Sequence, residues 1–376
     1  MPTDSQAALQ LISSVSERSG REVDAGEALG GELKDLPISD VWNGKLFAYQ
    51  WGATTRYNRK LDRWFIYDGT RWREDDTLEV IRRGTVSVES LLDLRIIGKK
   101  SEDLSNHRYK MLEGKHLEQM IRRARSEWPI PCTSEQFDLD PMLLPVKNGT
   151  LNLNTGEFRK HRAEDMLMKQ CPLDYEPAAV PKEWLAAVEV WMAGDKRMSA
   201  YLRRIVGLLL TGDVGDEAFF MLLGPSGTGK GTFVSTIEAL LGEDYSFALS
   251  VEWFLKKSNE PMAIDVHAAR GKRLVTVSEN DKNAQFNVSK VKRWTGGDAM
   301  SGKALYQHLK NFLPTHKLLL QTNHAPNFAD KALVRRLKNI GFLSVVTNRK
   351  YGLKKYLREN ELSGILNWAL GALPGE

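Results

Sequence analysis

One stretch constrains this chain more than any other. The apolar run Phe219-Phe220-Met221-Leu222-Leu223 leads into Gly224-Pro225-Ser226-Gly227-Thr228-Gly229-Lys230-Gly231-Thr232, and a helical pattern follows over 231–241. Four glycines allow the backbone to turn its N–H groups inward as an anion cradle, and the start of a helix adds partial positive charge. Lys230 is placed to reach the β- and γ-phosphates of a nucleotide. The strict pattern has Ser or Thr directly after the lysine. Here that place holds Gly231, so the hydroxyl assigned to Mg²⁺ is that of Thr232. A buried strand, a phosphate loop and a helix in this order demand an α/β layer.

The rest of the second half agrees. Apolar runs at 273–277 and 317–322 read as strands, and 231–241 and 288–294 as helices, with two more helices over 182–212. Strand and helix alternating in this way argue for a largely parallel sheet. Ligands of such sheets gather at the carboxyl ends of the strands. The run Arg273-Leu274-Val275-Thr276-Val277-Ser278 ends in Glu279, an acid suited to ordering Mg²⁺ and polarising water, with Asn280 and Asp281 close behind. The run Leu318-Leu319-Leu320-Gln321-Thr322 ends in Asn323, an amide able to hydrogen-bond both a γ-phosphate and an attacking water.

The first half has a different texture. Residues 1–40 are polar, hold no aromatic before residue 41, and read as a mobile arm. Eight aromatics then fall between Phe47 and Trp72, with Asp68-Gly69 as a turn between two short strands. Interleaved Trp, Tyr and Arg suit base stacking, but alternating aromatics in short strands suit a core better. Residues 77–128 read as helices whose Arg122, Arg123 and Arg125 form a solvated face. A second small β element spans 146–156, and a proline-bearing stretch over 172–181 marks the boundary between an α+β region (41–180) and the nucleotide-binding region (181–376).

Composition removes some classes of protein. The 376 residues are 42% hydrophobic and 27% charged, the balance of a soluble globular chain. Two distant cysteines, Cys132 and Cys171, exclude a disulfide framework and zinc-finger spacing. No apolar stretch approaches the ~20 residues that cross a bilayer, and the polar start is unlike a signal peptide, so a cytoplasmic location is expected. The net charge of +5 sits on top of an acidic arm, which leaves a basic body suited to a polyanion.

With these parts in order, the chain resembles the superfamily 3 helicases, a branch of the AAA+ ATPases. It is most similar to the helicase portion of phage, plasmid and poxvirus primase–helicases. The resemblance spans roughly residues 45–372. Residues 224–232 match Walker A, 274–279 Walker B, and 318–323 with His324-Ala325-Pro326 motif C. Lys292-Arg293-Trp294-Thr295-Gly296-Gly297-Asp298 through Pro314 matches the motif peculiar to this superfamily. The resemblance implies an AAA+ P-loop ATPase domain with a parallel sheet, preceded by a smaller α+β accessory domain. It implies ATP and Mg²⁺ as cofactors, a hexameric homo-oligomer, and 3′→5′ travel on single-stranded DNA with unwinding of fork DNA. A separate primase or polymerase is a further implied partner. Either Arg335 or Arg336 matches the arginine finger that reaches a neighbouring subunit's ATP. The stretch 301–310 matches the hairpin in the ring channel, with Lys303, Tyr306, His308 and Lys310 as DNA contacts. Relatives typically add a primase domain and a winged helix, for which this chain is too short, so priming is not assigned. Two other readings stay open. One is a P-loop kinase, in which the loop ordinarily lies near the N-terminus. The other is an AAA+ initiator or loader that uses ATP as an assembly switch without unwinding.

Overall fold

The computed structural model describes residues 33, 36–92, 100–256, 263–279, 285–302, 310–326, 330–347 and 350–373. The contacts divide the chain into two compact units: residues 1–139 with 162–168, and residues 140–161 with 169–376. The stretch 172–181, where the sequence places its boundary, lies within the second unit. The hairpin after residue 140 belongs to that unit because its apolar residues Leu144, Val146, Leu151 and Leu153 share a core with Trp184 and Leu209.

In the first unit, helix α1 (Asp40–Trp51) precedes strands β1 (Thr55–Asn58), β2 (Arg63–Tyr67) and β3 (Trp72–Glu74). Helices α2 (Glu79–Glu89), α3 (Ser101–Met111) and α4 (Gly114–Ala124) follow, and then the two-residue strand β4 (Pro131–Cys132). The sheet runs β3-β2-β1-β4, antiparallel except for the β1–β4 pair. The Asp68-Gly69 turn forms for a local reason. The Asp68 carboxylate accepts from the backbone N–H groups of Thr70 and Arg71, and Gly69 takes φ +97°. Most of the aromatics are core: Trp42, Phe47, Trp64, Phe65 and Trp72 are all buried, whereas Tyr49 is exposed. Arg122 and Arg123 are exposed, whereas the Arg125 guanidinium lies over the Tyr57 ring at 4.5 Å and pairs with Asp62. Trp72 is 1% exposed, and its indole N–H donates to the Ala163 carbonyl at 2.8 Å. Trp72→Ala is expected to cost this unit about 3–5 kcal/mol, read as an earlier urea midpoint by circular dichroism.

The second unit opens with the antiparallel strands β5 (Leu143–Val146), β6 (Gly149–Asn152) and β7 (Phe158–Arg159). Two helices follow, α5 (Lys182–Trp191) and α6 (Lys196–Leu210). Next come β8 (Phe219–Leu223), α7 (Lys230–Tyr245), β9 (Ser246–Leu249), α8 (Ala263–Ala268), β10 (Leu274–Glu279) and α9 (Val288–Thr295). A short antiparallel pair, β11 (Met300–Gly302) and β12 (Lys310–Phe312), precedes β13 (Lys317–Thr322). Helix α10 (Lys331–Arg336), β14 (Leu337–Gly341), α11 (Leu353–Asn360) and α12 (Leu362–Leu370) complete it. Five strands form one parallel sheet in the order β14-β8-β13-β10-β9. Each of the three central strands carries an apolar core, Phe219–Leu223, Leu274 with Val275 and Val277, and Leu318 to Leu320, because both of their faces are covered. Among the described residues, no helix is long and apolar enough to cross a membrane.

Candidate nucleotide site

Register brings the candidate residues together. In the pairing of β8, β13 and β10, Leu223 lies beside Thr322, and Thr322 lies beside Glu279. The three strands therefore end at one level, and the chain leaves them as Gly224, Asn323 and the segment after Glu279. The strand carrying Asn323 sits between the strand of the phosphate loop and the strand of the acid. Thr322 turns the chain at this edge: its hydroxyl donates to the His324 carbonyl at 2.8 Å and accepts from the His324 N–H, which leaves Asn323 half-buried at the rim. Glu279 is buried, 7% exposed.

The loop itself is held by close packing. Gly227 and Gly229 take φ +84° and +95°, which turns successive N–H groups to one side. A Cβ on Gly224 would lie 1.9 Å from the Phe342 carbonyl oxygen, and one on Gly229 would lie 2.0 Å from Trp191 Nε1. Phe342 N–H donates to Leu223 O at 2.8 Å and Val346 N–H to Gly227 O at 3.2 Å, so the chain after β14 braces the loop. Trp191 belongs to an aromatic group with Trp184, Phe233 and Phe342 beneath the loop. Sequence reasoning missed Trp191, since one tryptophan at the end of an apolar helix carries no local signal. Lys230, the first residue of α7, donates from Nζ to Gly224 O at 2.5 Å and Pro225 O at 2.9 Å. Burial holds its ammonium below the ordinary lysine pKa.

Such a cradle fits a polyphosphate. Lys230 already sits on the loop, where carbonyl oxygens stand in for anionic ones. Thr232 is half-buried in the first turn of α7. Among the described residues, no group of three or more His, Cys, Asp or Glu is arranged to hold a metal ion. A Mg²⁺ shared between one hydroxyl, one carboxylate, water and phosphate needs no such cage. Gly229→Ala is expected to distort the loop and weaken ATP binding by about tenfold or more, because φ +95° and the Trp191 ring both oppose a Cβ. Gly231→Ala, with open space around its Cβ, is expected to leave the fold intact. Equilibrium titration with a fluorescent ATP analogue and a melting curve check the pair.

The other candidates are placed unevenly. Arg335 is exposed in the last turn of α10, with no hydrogen bond or ion pair to another described residue. Arg336 is engaged: it pairs with Glu217 at 2.5 Å and donates to Lys292 O and Thr295 Oγ1. Lys303, Tyr306 and His308 lie outside the described residues, as do Asn280 and Asp281. Lys310 opens β12, which pairs with β11.

Fold and loop together define a P-loop α/β protein with a smaller N-terminal unit. Residues 44–190 match the family model described as D5 N terminal like. The chain is 25% identical over 236 residues to the Acanthamoeba polyphaga mimivirus protein named "Putative helicase L207/L206", covering 61% of this chain and 24% of that protein. It is 23% identical over 207 residues to the Invertebrate iridescent virus 3 protein named "Putative helicase 121R", covering 52% and 22%. The chain thus spans about a quarter of the length of these relatives. Two apo structures of the NrS-1 C-terminal region share the fold, at TM-scores of 0.54 and 0.53 and 12% identity; they cover 91% and 88% of this chain and 71% and 69% of theirs. Over the residues matched, the chain is similar to the D5 N terminal like model and to two viral proteins named as putative helicases.

Proposed function

We propose that the chain is the motor part of a superfamily 3 AAA+ helicase, hydrolysing ATP with Mg²⁺ to move along single-stranded DNA and open duplex DNA. In this reading residues 181–376 are the motor and 41–180 an accessory domain. The observation that carries it is the common level at which β8, β13 and β10 end, bringing the Lys230 loop, Asn323 and Glu279 to one edge. There Lys230 neutralises phosphate charge, Glu279 polarises the attacking water, and Asn323 orients that water. Thr232 and Glu279 would hold Mg²⁺, which would supply polarisation of the phosphoryl oxygens. Arg335, exposed and unengaged, is the residue suited to reach a neighbour's nucleotide in a hexameric ring. Lys303, Tyr306, His308 and Lys310 are the DNA contacts of the hairpin.

ATP turnover with and without a single-stranded oligonucleotide, alongside strand displacement on a forked duplex, tests the reading. DNA-stimulated turnover with displacement is expected. Turnover without displacement would leave the assembly switch in its place, and the absence of both would remove the motor.

A further inference from the structure

Of the ten tryptophans in the chain, Trp128 alone is exposed. It stands between α4 and β4 at 81% exposure, and its ring makes no hydrogen bond or aromatic contact with another described residue. The segment that carries it is nevertheless fixed on both sides. Glu127 pairs with Lys45 of α1 at 3.6 Å, and a Cβ on Gly52 would lie 2.7 Å from the Pro129 ring. The carbonyl of the buried Ile130 accepts from Tyr57 N–H of β1 at 2.8 Å. Trp128 thus projects from a junction of α1, α4 and β1, not from a loose loop tip. Cations gather on both sides of that junction. Towards β1, the Arg125 guanidinium lies over the Tyr57 ring and donates to Asp62 Oδ1 at 3.3 Å, while Asp62 N–H donates to Arg59 O at 3.3 Å. This pins the turn exposing Arg59 and Lys60 beside α4, where the exposed Arg122 lies one turn before Arg125. Towards α1, the exposed Arg123 packs its Cβ on Gly44, and Tyr49, 40% exposed, shares the α1 face of Lys45 and Gly52. Asp62 and Glu127 are each paired with a base, and Glu118 is the one acid within α4.

We infer that this surface of the N-terminal unit binds a single strand of nucleic acid, with an unpaired base stacked on Trp128 and the flanking phosphates on Arg59, Lys60, Arg122 and Arg123. The chemistry selects a single strand. Every base offers a π-face to an indole, but only an unpaired base leaves that face free, and a chain of phosphates suits cations on both sides of the ring. Tyr49 offers a second ring on the α1 side. A protein partner would want an uncharged centre to its interface, whereas the residues fixed beside Trp128 include Lys45, Arg125 and Glu127. The site lies wholly within the first unit and uses none of the residues assigned to ATP, so it stands whether or not the motor reading does.

The test uses the full chain without nucleotide, carrying Lys303→Ala and Lys310→Ala so that strand contacts assigned to the motor are removed. Fluorescence anisotropy follows the binding of a labelled oligothymidylate. Binding is expected to persist in this background, to weaken about tenfold on Trp128→Ala, and to be largely kept by Trp128→Phe, since a phenyl ring also stacks. Lys60→Gln and Arg122→Gln are each expected to lower the slope of log affinity against log salt by about 0.7, the share of one phosphate contact to a single strand. No binding in the background, no weakening on Trp128→Ala, or a slope unchanged by both glutamines would overturn the site. An equal loss of binding to a blunt duplex on Trp128→Ala would overturn it too, as the mark of a collapsed surface. So would oligoglutamate competing as well as oligothymidylate, which marks a docking site for an acidic protein. Trp128 packs on little, so the melting temperature of Trp128→Ala is expected near wild type; should it fall, the two glutamine variants decide by their slopes. A parallel titration with oligouridylate distinguishes DNA from RNA as the source of the strand by the tighter binding. A wild type without ATP turnover or duplex opening is a different failure: it removes the motor and leaves this binding in place.

Discussion

Lys230→Ala is expected to lower ATP turnover by about 10²- to 10³-fold, the scale of removing one preorganised charge partner from a phosphoryl-transfer site. The ammonium sits at the start of α7, 4% exposed, and no second lysine or arginine lies within the loop to replace it. Its present partners are the Gly224 and Pro225 carbonyls, neutral oxygens that bind a cation less strongly than phosphate does. The fold should survive, because the loop is also braced by Phe342, Val346 and Trp191. A melting temperature close to wild type with turnover abolished is the expected pair of results. Turnover retained in this variant would remove the loop from the chemistry.

Arg335→Ala is expected to reduce turnover by about 10³-fold or more while ATP binding stays near wild type, as for arginine fingers supplied by a second chain. The side chain is exposed and engaged by no other described residue, so its removal costs the isolated chain little. Mixing the two inactive variants is the sharper measurement. In a head-to-tail ring each site takes Lys230 from one subunit and Arg335 from the next, so roughly a quarter of the interfaces in a random equal mixture regain both. Partial recovery of turnover on mixing is the expected outcome. No recovery would mean that Arg335 serves its own subunit's site or none. Arg336→Ala should behave otherwise, because its guanidinium is already committed to Glu217, Lys292 and Thr295.

The central strands were legible because burial on both faces favours apolar residues: Phe219–Leu223 is apolar throughout, and Leu274, Val275 and Val277 and the run Leu318 to Leu320 mark the other two. The edge strands were not. Ser246–Leu249 and Leu337–Gly341 are short and partly exposed, and Lys338 and Asn339 break any apolar pattern. Their pairing comes from the neighbouring strand and not from their own composition. The boundary near residue 180 was drawn at a proline-bearing stretch, a local signal. Residues 140–161 join the second unit through side-chain packing that only the folded chain displays.

The candidate site divides in the same way. Local chemistry in the sequence points to the phosphate loop and to the two polar strand ends at Glu279 and Asn323, whereas the pair Arg335-Arg336 is pointed to by the family resemblance alone. Four decisions belonged to the tertiary structure. The order β14-β8-β13-β10-β9 sets Asn323 between the loop and the acid. Trp191 and Phe342 approach the loop from distant parts of the chain, so close that Gly224 and Gly229 admit no side chain. One arginine of two adjacent ones is tied down and the other left exposed, which depends on where α9 and Glu217 fall around a six-residue helix. That helix is fastened to α9 through Lys292 and Asp330, residues far apart in the chain. Motifs are local because chemistry needs a few groups at fixed spacing. Order, bracing and coupling are set by contacts between distant residues, which spacing along the chain does not encode.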